Sequence, residues 1–210
     1  MQRAWSQLSS STLRLAVFAG RSHVSLTRRT LSQSLVDPAR AELHYHLVEP
    51  PSPFSDKLPA FALSFLPTAP SSASSSTVLG WLPAAAATDG QEAGLNDFKE
   101  NPQFRSLLHE AIQAGLREQV DDIQINGAAQ IGSGWMHIHD DRNIPALGRI
   151  GDPDDIIASV LVEDGKIQPE TYQAMPAYRL CTSDGPIQLT FGLARKLQTV
   201  LEARARAETT

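Results

Sequence analysis

A single cysteine, Cys181, leaves no disulfide framework to build on, and aromatic residues make up only 6% of the 210 residues. No apolar run approaches the roughly 18 to 20 residues that a membrane-spanning helix requires. Acid is absent from the first 36 positions, which carry Arg3, Arg14, Arg21, Arg28 and Arg29 among many Ser and Thr; the first carboxylate is Asp37. What remains, 41% apolar and 20% charged residues, is the composition of a globular chain rather than a fibrous or wholly disordered one. One domain is expected, long enough to bury a real core.

The acid-free start has a pattern. At about 100° per residue, Arg3, Arg14 and Arg21 fall on one side of a helical wheel and Ala4, Trp5, Leu8, Leu15, Ala16 and Ala19 on the other. A cationic, Ser-rich amphipathic N-terminus is the composition of a mitochondrial transit peptide. Arg14 interrupts what would be the apolar centre of a secretory signal, so that alternative is weaker; a plain basic tail is the third. Arg29-Thr30-Leu31-Ser32 reads as a matrix-processing site, giving 1–31 as transit peptide and 32–210 as one domain. Without those five Arg, 13 Lys and Arg face 23 Asp and Glu. So acidic a remainder predicts no general binding to nucleic acid, whose phosphates call for a basic face.

Along the remainder, Glu42 to Val48, Phe61 to Leu66 and Thr77 to Leu82 read as strands, with flexible loops near 67–76 and 83–95. Asn101 and Pro102 suit the cap and first position of a helix whose apolar residues run from Phe104 to Leu116. Asp121 to Gly134 is polar and Gly-rich and reads as a loop. Trp135 to His139 is a strand, Asp152-Pro153 starts a short helix, and Glu163-Asp164-Gly165 and Ser183-Asp184-Gly185-Pro186 are hairpin turns. Thr190 caps a final helix with Leu193, Leu197, Val200 and Leu201 on one face. The sum is an α+β domain of two layers, a mostly antiparallel sheet packed against about two main helices.

Few residues suggest chemistry. In His137-Ile138-His139-Asp140-Asp141 the two imidazoles share one face of a strand, and Asp140 completes a three-ligand metal set, zinc being the first choice for N and O donors. His44 and His46 form a similar pair, so adjacent strands would bring four imidazoles together. His-x-His-x-Asp also occurs in metallo-β-lactamase-like hydrolases, but their next His is Arg142 here and no His follows His139. A solvent-facing or hydrogen-bonded His pair is the plainer reading. Arg142 and Arg149 stand among five acids, either pairing with them or presenting guanidinium forks to a partner. Cys181 reads as a small buried hydrophobe rather than a nucleophile. Gly132-Ser133-Gly134 is a turn rather than a phosphate loop, since no Lys-Ser/Thr follows.

The block from Gly134 through His137, His139, Arg142 and Gly148 to Ser159, with Val78 to Pro83 and Tyr172 to Gly185, resembles a family of fungal mitochondrial proteins. The resemblance spans about Leu43 to Leu197, agrees with the transit-peptide reading and implies no catalytic residue. The leading expectation is therefore a non-catalytic matrix protein that binds another protein or a larger mitochondrial assembly through Trp135, Arg142 and Arg149, with no cofactor. The alternative is a small metal-dependent enzyme, with zinc on His137, His139 and Asp140.

Overall fold

The structure, a computed structural model, describes residues 34–84, 95–146, 149 and 151–209. It is an α+β fold whose strands all pair antiparallel. Five strands form a meander in chain order: β1 (Ser34–Val36), β2 (His44–Val48), β3 (Ala60–Ser64), β4 (Val78–Pro83) and β5 (Lys99–Glu100). A second sheet holds β6 (Gly134–His139), β7 (Ile156–Glu163) and β8 (Lys166–Ala174), with β7 in the middle. The ribbon of β9 (Cys181–Thr182) and β10 (Gly185–Pro186) is the small remnant of the second expected hairpin. Among the described residues three α-helices complete the fold: α1 (Pro102–Arg117), α2 (Asp122–Ile131) and α3 (Phe191–Thr209). Segment 1–31, expected from the sequence to be a transit peptide, and most of the loop near 83–95 lie outside the described residues.

One core joins the two sheets. Leu43, Leu63 and Leu79 from the first sheet meet Phe104, Leu108 and Ile112 of α1, Ile138, Val160 and Val162 of the second sheet, and Leu193, Leu197 and Leu201 of α3. α1 forms where expected: the Asn101 side chain accepts from the Gln103 N–H at 3.1 Å while its amide group donates to the carbonyls of Ser75 and Val78, tying the cap to the start of β4. The β7–β8 turn has positive φ at both Asp164 (49°) and Gly165 (72°), the conformation whose twist suits a two-residue hairpin.

Two elements differ from expectation. Residues 122–131 are a helix, not a loop. Asp121 Oδ1 accepts from the N–H groups of Ile123 and Gln124, and only Gln124 and Ala128 of α2 are buried, so the weak apolar stripe hides a capped helix. Asp152-Pro153 starts a turn rather than a helix: the Asp155 N–H closes onto the Asp152 carbonyl and the chain enters β7 one residue later. The helix signal there is real but local, and a strand buried on both faces outweighs it.

Asp121 has a second role. Its other oxygen, Oδ2, accepts from the Leu193 N–H at 3.1 Å in the first turn of α3. The expected cap, Thr190, leaves its hydroxyl without a hydrogen-bond partner. The approach needs Gly192, because a Cβ there would lie 2.3 Å from the Val120 carbonyl oxygen and 2.7 Å from Asp121 Oδ2. The Ser-rich connection between β3 and β4 is fastened to the far end of α3, where Glu208 accepts from Ser71, Ser75 and Ser76.

Candidate functional site on the outer face of the second sheet

Alternation along β6 sorts the residues singled out in the sequence. Met136 and Ile138 point into the core, whereas Trp135, His137 and His139 take the opposite face, on which Trp135 is 51% exposed. Among the described residues β6 pairs only with β7, so it forms one edge of its sheet there. Ser159 lies opposite His137 in the register; its hydroxyl is 2.8 Å from His137 Nδ1 and 3.6 Å from Met175 Sδ. A hydroxyl has one proton, so if Ser159 donates to the Met175 sulfur, His137 Nδ1 carries a proton of its own and donates it to Ser159. Nε2 then holds the ring's lone pair. His139 stands 6.1 Å from His137 between ring centroids, at an interplanar angle of 80°. Burial and the neighbouring His137 lower its pKa against the pull of Asp155, and its buried Nδ1 has no hydrogen-bond partner.

Asp140 turns the other way. Its carboxylate is fully enclosed, accepting from the Tyr178 hydroxyl at 2.8 Å and from the N–H groups of Gln188 and Arg142 at 3.0 and 3.1 Å. Among the described residues, only Asp152, Asp154 and Asp155 bring three metal-type ligand atoms within 4.8 Å of one another, so His137, His139 and Asp140 do not form the expected triad. Strand alternation is the reason: Asp140 follows His139 by one position and faces the interior. The acidic trio is itself part of the scaffold, since Asp155 is occupied by Arg142 and Asn143. The two His pairs sit on different sheets, and His46 Nε2 is bonded to the Leu66 carbonyl, so four imidazoles do not meet.

Arg142 is likewise inside. Its side chain is 2% exposed, with Nε 2.9 Å from Asp155 Oδ1 and 3.5 Å from Asp140 Oδ2. The remaining N–H groups donate to the carbonyls of Asp154, Arg179, Leu180 and Gly185. The pairing with nearby acids raised in the sequence is what the geometry shows for Arg142. Arg149 is exposed, and its backbone N–H donates to the Ala146 carbonyl. Cys181 is buried and its thiol is pushed up to about 11 by desolvation, so it is no thiolate at neutral pH.

Beyond the end of β6 lies a groove that sequence reading missed. About 690 Å³ in volume, it runs beneath the start of α3, with Phe65, Ile187 and Leu197 among its apolar walls and Arg40, Glu42, Asp141 and Arg195 as charges. Phe191, 76% exposed, stands at it with the Arg195 guanidinium 5.6 Å from its ring centroid. Its walls come from segments far apart in the chain, and no local pattern announces them. No protein-family model matches the chain, and no similar curated protein or solved structure was found.

Proposed function

We propose that this chain is a non-catalytic mitochondrial matrix protein that takes an extended segment of a partner chain along β6, as a fourth strand of the second sheet. The observation that carries the reading is the edge position of β6 together with the half-exposed Trp135 at its start. An edge strand offers a row of N–H and C=O groups to another chain, and a large aromatic beside it supplies an anchor. Arg149 is exposed and can contribute to the contact; Arg142, turned inward, holds the following loop in place instead. The matrix location rests on the composition of residues 1–31.

The test is the native size of the processed protein in a gentle mitochondrial extract, compared between the wild type and Trp135→Lys. The expected outcome is a larger assembly for the wild type and a free monomer for a variant that melts at the wild-type temperature. A wild type that elutes as a monomer, or a variant that keeps the assembly, overturns the reading.

A further inference from the structure

We infer that His137 and His139 form an open two-imidazole site for a first-row divalent metal ion, with water in the remaining positions and no contribution from Asp140. This inference does not rest on strand addition at β6. Three observations carry it. Both rings lie on the outer face of one strand, 6.1 Å apart between centroids. An ion about 2.0–2.1 Å from one nitrogen of each ring allows centroids up to roughly 6.4 Å apart, so this spacing is within reach of one ion when the two nitrogens stand nearly opposite each other across it. With Ser159 donating to Met175 Sδ, the His137 Nδ1–H donates to the Ser159 hydroxyl and Nε2 keeps the ring's lone pair, the outer-shell arrangement that orients metal-binding histidines. Finally, no hydrogen bond among the described residues uses His139 Nε2, which is the nitrogen left for an ion because Nδ1 is buried beside Gly151.

The other His pair provides a contrast within the same fold. His44 and His46 have the same 6.1 Å spacing, but His46 Nε2 is spent on the Leu66 carbonyl. Free nitrogens, not the His-x-His spacing, set the outer pair apart. Two neutral imidazoles and water suit Cu(II) and Zn(II), with Cu(II) the tighter.

The experiment uses the untagged full chain, stripped with chelator and titrated with Zn(II) and separately with Cu(II) against a chromophoric competitor. One equivalent of each ion is expected, and His137→Gln or His139→Gln should weaken both by at least tenfold. His109→Gln, altering a ring already bonded to Tyr172, should leave them unchanged. Uptake below one equivalent, or wild-type affinity in both outer-face variants, overturns the site. A Cu(II) electron paramagnetic resonance spectrum of the wild type gives an answer independent of whether the variants fold: coupling to two imidazole nitrogens supports the site, and its absence overturns it. Trp135→Lys, which tests the partner surface, should leave the ion's stoichiometry at one.

Discussion

Arg142 shows how much one buried side chain can organise. Its guanidinium neutralises two enclosed carboxylates and satisfies four backbone carbonyls, and its charge lies 5.7 Å from the centre of the Tyr178 ring. Burial works against the charge, yet Asp140, Tyr178 and Asp155 together hold its pKa above the usual value. Removing one partner of such a set leaves the others uncompensated, at a cost of about 3–5 kcal/mol. Arg142→Ala is therefore expected to lower unfolding stability by that amount in a denaturant titration. Arg142→Lys should recover only a minor part, since an ammonium lacks the planar fork that reaches five acceptors. The charge pattern around Arg142 already suggested acid pairing. That the same residue would collect carbonyls from 154, 179, 180 and 185 was not legible, because those positions converge only in the folded chain.

At the scale of elements, the clearest dependency is the carboxylate that starts two helices. A single cap contributes about 0.5–2 kcal/mol, and Asp121 serves α2 through Oδ1 and the first turn of α3 through Oδ2. Asp121→Ala should accordingly cost about 2–3 kcal/mol, more than an ordinary cap. Gly192→Ala should destabilise by a comparable or larger amount, because its new Cβ meets backbone and carboxylate rather than a movable side-chain end. Chemical denaturation of both single variants checks the pair, and if the two act on one junction their double variant will be less than additive. Local signals found α1 and α3, whose buried apolar residues recur at helical spacing. They missed α2, whose cap and two buried residues are a faint signal beside Gly127 and so many polar side chains. They also misread 152–155, where a good N-cap and proline precede a strand.

Across the whole molecule, several histidines are held neutral by burial, which gives stability a pH dependence of definite sign. Desolvation, helped by Arg105, lowers His109 to about 4, and desolvation is also the leading cause of the lowered values of His46 and His139. Well above the unperturbed value of about 6.5 neither the folded nor the unfolded chain protonates these rings appreciably. Below it the unfolded chain takes up protons that the folded chain refuses, so stability falls as pH drops from about 6.5 towards 4. After discounting for partial exposure, His109 alone should account for about 1 kcal/mol lost between pH 7 and pH 5. Unfolding midpoints measured across that range should show the slope, and His109→Gln should flatten it.

The α+β class, the long helices and the strand bearing Trp135, His137 and His139 were readable from periodicity alone. The division of the ten strands among the described residues into two sheets and a ribbon was not, since it depends on partners far apart in the chain. The groove at the start of α3 was hidden for the same reason.

The fastening of the β3–β4 connection by Glu208 has a consequence in time as well as in space. Its carboxyl stays below the usual range because hydroxyls and an N–H from Ser71, Ser75 and Ser76 outweigh the effect of its burial. Ser76 and Glu208 are separated by 132 positions, so a polypeptide emerging N-terminus first can pair β3 with β4 long before this latch has its second half. The first sheet can therefore take its register during synthesis, while its connecting loop is secured only when nearly all of α3 has followed.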